Sequence, residues 1–310
     1  MSDLPLVSIV TPSFNQAPFL EQTIRSVLEQ DYPRIEYMVV DGGSTDGSVD
    51  IIKKYADRFA WWISEKDSGQ AEAINKGLRR ARGEIVAWLN SDDVYLPGAV
   101  SAAVKAFEQK LQTGLVYGNV LAVDEMGHPL NLLRYGNWGL AGLMEFRIIG
   151  QPSVFMRRQV LEQTGFLDSS YHFLLDHQLW LRMAQIAGMD YLPKTLSEAR
   201  FHRQSKNVAR AAEFGDEIRR IVDWMRVQPD LALLFSKNET RIRAGAERLE
   251  AYYLLDGGQP AASLRAYGRA LRLHPLTALK DWKRITLAVL SLLGLGRLGN
   301  LYRRLRRKNI

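Results

Sequence analysis

Two aspartates, Asp92 and Asp93, stand side by side where an apolar run over residues 85–88 ends, in the stretch Trp88-Leu89-Asn90-Ser91-Asp92-Asp93. Adjacent carboxylates at the mouth of a buried strand repel each other, and a cation or a phosphate-bound metal relieves that cost. The chain has no cysteine, so oxygen donors of this kind suit a hard divalent ion, Mg²⁺ or Mn²⁺. The plainer reading is a helix cap. Residues 97–107 have a helical pattern, and an aspartate ahead of them can bond the free N–H groups of the first turn. Asp176 opens another helical stretch, 176–187. A carboxylate there can take the proton from an attacking hydroxyl or serve as an N-cap, and the two roles can coexist.

The elements that must carry these acids alternate in type. Strand-like runs at 6–11, 35–40, 61–64 and 84–89 are separated by helix-like stretches at 19–29, 47–55 and 70–81. Apolar strands that do not alternate with polar residues, joined by helices, imply an α/β fold with a mostly parallel sheet covered on both faces. Ligands of such sheets sit outside the carboxyl ends of the strands. Those ends carry Thr11-Pro12-Ser13-Phe14-Asn15, then Asp41-Gly42-Gly43-Ser44-Thr45-Asp46-Gly47, then Glu65-Lys66-Asp67-Ser68-Gly69-Gln70, then Asn90 to Asp93. All four polar clusters are therefore expected along one edge. Pro12 to Asn15 form a rigid turn that can hold a base and ribose, or an ordinary proline turn. Gly42-Gly43 lets backbone approach a ligand closely, while Ser44-Thr45-Asp46 can cap the next helix, a structural role for Asp46. Lys76 and Arg82 can neutralise phosphate or stand as solvated surface.

Farther along, 114–134 is patterned as a hairpin with its turn at 124–128, and 154–156 as a short strand. Residues 160–164 and 176–187 are helical, the latter with Leu179, Trp180, Met183 and Ile186 on one face. Trp180 reads as core and His177 as surface. Strand signals stop near residue 207, and 213–281 is helical. The stretch 246–275 resembles a single tetratricopeptide-type hairpin, and one repeat is not an array. Three regions are expected: 1–206, a helical extension at 207–281, and a basic tail at 282–310.

The 310 residues are 46% hydrophobic and 24% charged, the balance of a globular protein. The absence of cysteine fits a reducing compartment, and the N-terminus has no basic and apolar leader, so no signal peptide is expected. The formal charge of +7 is concentrated at the end: after Asp281 come eight bases and no acid, which leaves −1 for residues 1–282. A nearly neutral body argues against a nucleic-acid groove. Residues 285–295 are an apolar run too short to cross a bilayer, which needs about 20 residues. Arg297, Arg303, Arg304, Arg306, Arg307 and Lys308 follow, interleaved with Leu298, Leu301, Tyr302 and Leu305. That pattern suits an anionic membrane surface, or a C-terminal helix packed on the body with a solvated basic end.

In order and spacing these clusters resemble family 2 glycosyltransferases. The matching residues are Val10 to Asn15, Val39 to Gly47, Ser64 to Gln70, Ala73-Ile74-Asn75-Lys76-Gly77, Ala81-Arg82-Gly83-Glu84-Ile85, Leu89 to Asp93 and Asp176-His177-Gln178-Leu179-Trp180-Leu181-Arg182. The resemblance covers about residues 4–205. It implies the nucleotide-diphospho-sugar (GT-A) fold, a mostly parallel Rossmann-like sheet, here with a C-terminal helical extension. It also implies metal-dependent, inverting transfer of a sugar from a nucleotide diphosphate, with a leaning to UDP. The acceptor would be a glycan or lipid-linked intermediate of bacterial surface polysaccharide. A cytoplasmic protein, peripheral on the inner face of the membrane, is the matching placement.

On that resemblance Asp41 bonds the base, Asp67 lies by the nucleotide, and Pro12, Ser13, Asn15, Asn90 and Ser91 complete the nucleotide-sugar site. Asp92, Asp93 and His202 hold Mn²⁺ or Mg²⁺, with Arg203 or Lys206 at the leaving phosphate. Asp176 is the general base, and Gln151-Pro152-Ser153 begins the acceptor-side loop. The departing nucleoside diphosphate gains about one negative charge, which metal and cations must absorb. The family's Asp-x-Asp is Asn90-Ser91-Asp92 here, so an amide replaces the first carboxylate and a weaker metal site is expected. That replacement is also the support for another reading, a non-catalytic nucleotide-sugar-binding or assembly subunit. A nucleotidyltransferase would want a glycine-rich phosphate loop after the first strand, which Pro12 to Asn15 is not.

Overall fold

The computed structural model describes residues 4–202 and 210–295. Two compact units emerge: Met1–His128 with Leu132–Gly139 and Ile149–Arg200, and Pro129–Asn131 with Leu140–Ile148 and Phe201–Ile310.

The first unit begins as the apolar runs dictate: β1 (Val7–Ser13), α1 (Ala17–Leu28), β2 (Ile35–Asp41), α2 (Ser48–Lys54), β3 (Trp61–Ser64), α3 (Gln70–Arg80) and β4 (Ile85–Trp88). There follow along the chain β5 (Val94–Tyr95), α4 (Ala99–Gln109), β6 (Thr113–Asp124), β7 (Pro129–Leu133), α5 (Gly139–Met144), β8 (Val154–Arg157), α6 (Arg158–Thr164), α7 (Leu175–Ile186) and β9 (Gly188–Phe201), of which α5 from Leu140 on and the first three residues of β7 are counted with the second unit. The sheet order is β3-β2-β1-β4-β8-β6-β9-β5, with β7 beside β6. The expected parallel pairing holds across β3-β2-β1-β4, and beyond β4 the pairs β4–β8, β6–β8 and β5–β9 are antiparallel. The fourteen-residue β9 was not singled out as a strand in the sequence. Lys194 and Glu198 interrupt its apolar pattern, and much of the strand is half-exposed.

Register positions the site. Ser13 lies beside Asp41, and Asp41 beside Ser64, so the last residues of three strands form one row. Val10 pairs with Trp88, which brings the chain out of β4 at the same edge. The frame beneath is tightly determined. A Cβ on Gly77 would lie 2.4 Å from Val10 Cγ1, so only glycine lets α3 sit this close to β1. Asn75 Nδ2 donates to the Leu167 carbonyl at 2.8 Å while its Oδ1 accepts from Leu167 N–H at 3.0 Å. Buried Glu36 accepts from Ser8 Oγ, Arg82 N–H and Arg82 Nε, at 2.5, 2.8 and 2.6 Å. Arg82 is thus a structural partner, as is Lys76, whose Nζ meets Glu65 Oε1 at 2.5 Å.

The second unit contains α8 (Phe214–Val227), α9 (Pro229–Asp256), α10 (Pro260–Leu273), α11 (Pro275–Ala278) and α12 (Trp282–Leu292). The helices α9 and α10 form a hairpin, turning at Gly257-Gly258. Ala251, Ala266 and Tyr267 are its buried contact, with Ile285 of α12 packed against them.

Candidate active site

The strand-end row is built around Asp41, which is completely buried. Its Oδ2 accepts from Gly43 N–H at 3.0 Å, Ser44 N–H at 2.9 Å and Ser64 Oγ at 2.7 Å. Oδ1 accepts from Ser44 Oγ at 2.5 Å, which leaves that oxygen a lone pair for another donor. A Cβ on Gly42 would lie 2.8 Å from Asp67 Oδ2, so a side chain there would push that carboxylate aside. The missing side chain therefore admits the Asp67 carboxylate beside the β2 end, and Gly69 N–H donates to its Oδ1 at 2.9 Å. Burial raises the pKa of Asp67 above the usual carboxylate value, and the charges of Glu72 and Asp41 add to the effect.

Asn15 ties the β1 loop to the β2 loop. Its N–H donates to Ser44 Oγ at 2.8 Å, and its Oδ1 accepts from Thr45 N–H at 2.9 Å. Pro12 and Ser13 are buried in the β1 end, and the Ser13 hydroxyl has no hydrogen-bond partner among the described residues. Asp46 has the structural part expected of it, accepting from Ala17 N–H at 2.9 Å and Ser48 N–H at 3.0 Å at the starts of α1 and α2.

The Asn90–Asp93 loop is held by Gln70, Gln151 and Arg200, none of which was singled out for that task from the sequence, and Gln30 secures the helix that follows. Gln30 Oε1 accepts from Ala99 and Val100 N–H at 3.1 and 3.2 Å. It therefore supplies the cap of α4, which removes the helix-cap reading of Asp92 and Asp93. Gln70 Nε2 donates to Asn90 Oδ1 at 2.9 Å, and Asn90 Nδ2 donates to Gln151 Oε1 at 3.0 Å and Asp93 Oδ2 at 3.3 Å. Gln151 Nε2 in turn donates to the Trp88 carbonyl at 2.8 Å. The buried Arg200 donates from its N–H to Asp93 Oδ1 at 3.2 Å and from Nε to the Asp92 carbonyl at 3.3 Å. Its remaining nitrogens reach Gln22 Oε1 at 2.6 Å and the Glu125 carbonyl at 3.0 Å.

These bonds divide the acids. The buried Asp93 carboxylate faces Arg200 and Asn90, and burial, with the Asp92 charge, holds its pKa well above the ordinary value. Asp92 is half-buried, and Ser91 is buried between the two loop anchors. Among the described residues no group of three His, Asp or Glu side chains forms a metal cage. A single half-exposed carboxylate fits the other mode, in which Mg²⁺ or Mn²⁺ takes one or two protein oxygens and completes its shell with phosphates and water. His202 is buried and belongs to the second unit. Arg203 and Lys206 lie outside the described residues.

Asp176 is the second residue of α7, whose N-cap is Leu174, so it does not cap that helix. Its Oδ1 accepts from His177 N–H at 2.7 Å, and a carboxylate in a first turn is favoured by the helix dipole. Trp180, one turn on, stacks on Trp88 with ring centroids 5.2 Å apart. Residues i and i+4 share a helix face, with Cβ atoms about 6 Å apart, so Asp176 lies on the face that packs against the β4 end. Arg182 fixes the other end of the helix by bonds to the carbonyls of Thr164, Gly165 and Phe166. Trp180 is core as expected, but His177 is not surface: it is 1% exposed. Its neighbours Leu175, Gln178 and Leu179 are buried too, since α7 is covered around most of its circumference.

Residues 8–165, half of the chain, match the sequence profile of Glycosyl transferase family 2. The chain belongs to that family. Among its relatives, the TuaG glycosyltransferase of Bacillus subtilis, named for teichuronic acid biosynthesis, is 47% identical over 166 residues, 52% of this chain and 64% of that protein. The chain spans about a third of the length of some other relatives, 35% for an uncharacterized glycosyltransferase of Rickettsia felis. Solved structures share the GT-A architecture of this family 2 glycosyltransferase. Staphylococcus aureus TarS in complex with UDP-GlcNAc matches with a TM-score of 0.60 and 15% identity, covering 90% of this chain and 92% of that one. The mannosyltransferase PcManGT from Pyrobaculum calidifontis, in complex with GDP-Man and Mn²⁺, matches with a TM-score of 0.62 and 20% identity, covering 97% and 88%.

Proposed function

We propose that this family 2 glycosyltransferase moves a sugar from a UDP-sugar to a hydroxyl of a glycan or lipid-linked intermediate in bacterial surface polysaccharide synthesis, with inversion at the anomeric carbon. The observation that carries the proposal is the shared edge: Ser13, Asp41 and Ser64 in one row, with Asp67 and the Asn90–Asp93 loop joined to it through the Gly69-Gln70 start of α3. TuaG's name supports the acceptor class, and the UDP-GlcNAc in TarS supports the donor class.

In this reading the free lone pair of Asp41 takes a base N–H, and Pro12, Ser13, Asn15 and Asp67 enclose base and ribose. Asp92 would hold Mn²⁺ or Mg²⁺ against the diphosphate; bound there, the ion would absorb charge on the departing nucleoside diphosphate. Asn90 and Ser91 shape the loop that presents Asp92. Asp93 acts through Asn90 and Arg200, which supports assigning it a positioning part rather than a ligand's. Asp176 accepts the acceptor proton, from a helix fixed to the β4 end by Trp180 and Trp88. The protein works at the inner face of the cell membrane.

A thermal-shift panel of nucleotide sugars with and without Mn²⁺ identifies the donor, since a ligand that binds the folded state raises its apparent stability. NMR of the product then reads the anomeric configuration. Retention of configuration contradicts the single-displacement reading. Donor binding without transfer to any acceptor favours a non-catalytic subunit.

A further inference from the structure

The helix α12 carries an apolar face that the second unit leaves open. Trp282, Val289 and Leu293 are 58%, 42% and 66% exposed. At 100° per residue these three project within a narrow sector, together with Thr286. The Thr286 hydroxyl is already taken up within the helix, donating back to the Trp282 carbonyl at 3.0 Å. The opposite side is firmly seated: Ala288 is fully buried, Ile285 packs on the α9–α10 contact, and Arg284 Nη2 meets Asp256 Oδ1 at 2.5 Å. The open stripe is therefore a feature of a docked helix and not of a loose end.

Its ending is equally defined. Gly294 is left-handed (φ 75°), and Gly294 N–H and Leu295 N–H bond back to the carbonyls of Ser291 and Leu290 at 3.2 and 2.8 Å, a Schellman stop. Eleven residues make a helix about 16 Å long, half of what a bilayer core requires. Among the described residues no helix is long and apolar enough to cross a membrane. Charge points to what covers the stripe. Lys283 stands beside Trp282, with Nζ 5.5 Å from the ring centroid, and every side chain after Asp281 that is charged at neutral pH is basic. A second copy would bring the same positive charge to the same face. An anionic lipid surface brings the opposite charge, and it accepts tryptophan and leucine at the headgroup boundary.

We propose that the Trp282–Thr286–Val289–Leu293 face of α12 is a membrane-docking surface that lies in the headgroup layer of an anionic phospholipid bilayer. The proposal rests on the peripheral placement given above and assigns it to a particular helix face. The test is co-flotation of the full chain with vesicles of phosphatidylcholine alone and of phosphatidylcholine mixed equally with phosphatidylglycerol. No donor or acceptor is present, so the result stands apart from transfer activity.

The wild type is expected to float with the anionic vesicles and not with phosphatidylcholine alone. The triple variant Trp282→Gln, Val289→Gln, Leu293→Gln is expected to lose roughly tenfold or more in partitioning. These side chains are exposed, so its thermal melt is expected to match the wild type; Lys283→Glu, at a solvated position, reads the charge contribution separately. A triple variant that floats like the wild type overturns the proposal, because the basic segment past residue 295 then suffices. Failure of the wild type to bind either vesicle overturns it too. So does concentration-dependent self-association that the triple variant abolishes, since the covering partner is then a second copy.

Discussion

Asn90 Nδ2 donates to Gln151 Oε1 at 3.0 Å, and Gln151 Nε2 donates to the carbonyl of Trp88, two residues before Asn90, at 2.8 Å. The amide at the first position of the Asn90-Ser91-Asp92 motif is thus one link of a closed hydrogen-bonded loop. Its other N–H reaches Asp93. An aspartate at 90 has acceptors only. It would set a second carboxylate against Asp93, and Gln151 could satisfy it only by turning its amide away from Trp88. The partners present in this chain therefore favour the amide over the family's usual carboxylate.

Asn90→Asp is accordingly expected to destabilise the protein by about 1–3 kcal/mol, the cost of leaving buried polar groups unmatched. Thermal melts with and without Mn²⁺ check this. A variant that binds Mn²⁺ more tightly at unchanged stability contradicts the account of the loop.

Asp176→Asn keeps the shape of the α7 start and removes the proton acceptor. Transfer is expected to fall by about 10²–10⁴, with the donor Kd unchanged, because Asp176 lies on α7 and outside the strand-end row. Steady-state rates and donor titration read the two quantities separately. Turnover at the wild-type rate rules Asp176 out as the base.

Glu36 links stability to pH. Burial alone would raise its pKa, but the Arg82 N–H, the Ser8 hydroxyl and the Arg82 guanidinium outweigh that and hold it below the ordinary value. A depressed carboxylate contributes its full stability above the unfolded value of about 4.3, and the contribution is lost as pH falls through the folded value. Glu36→Gln is therefore expected to lower the Tm at neutral pH and to flatten the fall of Tm below about pH 5. Melts across that range test it; parallel curves for both proteins contradict it.

The parts legible in the sequence were those written in local pattern. Apolar runs at 35–40 and 61–64 gave β2 and β3, and their polar ends gave the Asp41 and Asp67 clusters. What stayed hidden depends on partners far away in the chain. Gln30 caps a helix 69 residues downstream, and Arg200 secures a loop more than 100 residues upstream, yet nothing adjacent to either marks the task. His177 reads as polar surface because a helical pattern reveals one covered face, whereas α7 is covered around most of its circumference. Motif residues divide likewise: Lys76 and Arg82 read from the sequence as phosphate partners or solvated surface, and each is paired with a carboxylate of the frame, Glu65 and Glu36.

The central claim is that Asp92 presents a divalent ion to the diphosphate of a donor seated at the Asp41 edge. Calorimetric titration of UDP into wild type and Asp92→Asn, each with and without Mn²⁺, tests it most directly. The account predicts that Mn²⁺ tightens UDP binding in the wild type, and that Asp92→Asn loses this increment while keeping the metal-free affinity. Equal Mn²⁺ dependence in both proteins would contradict it.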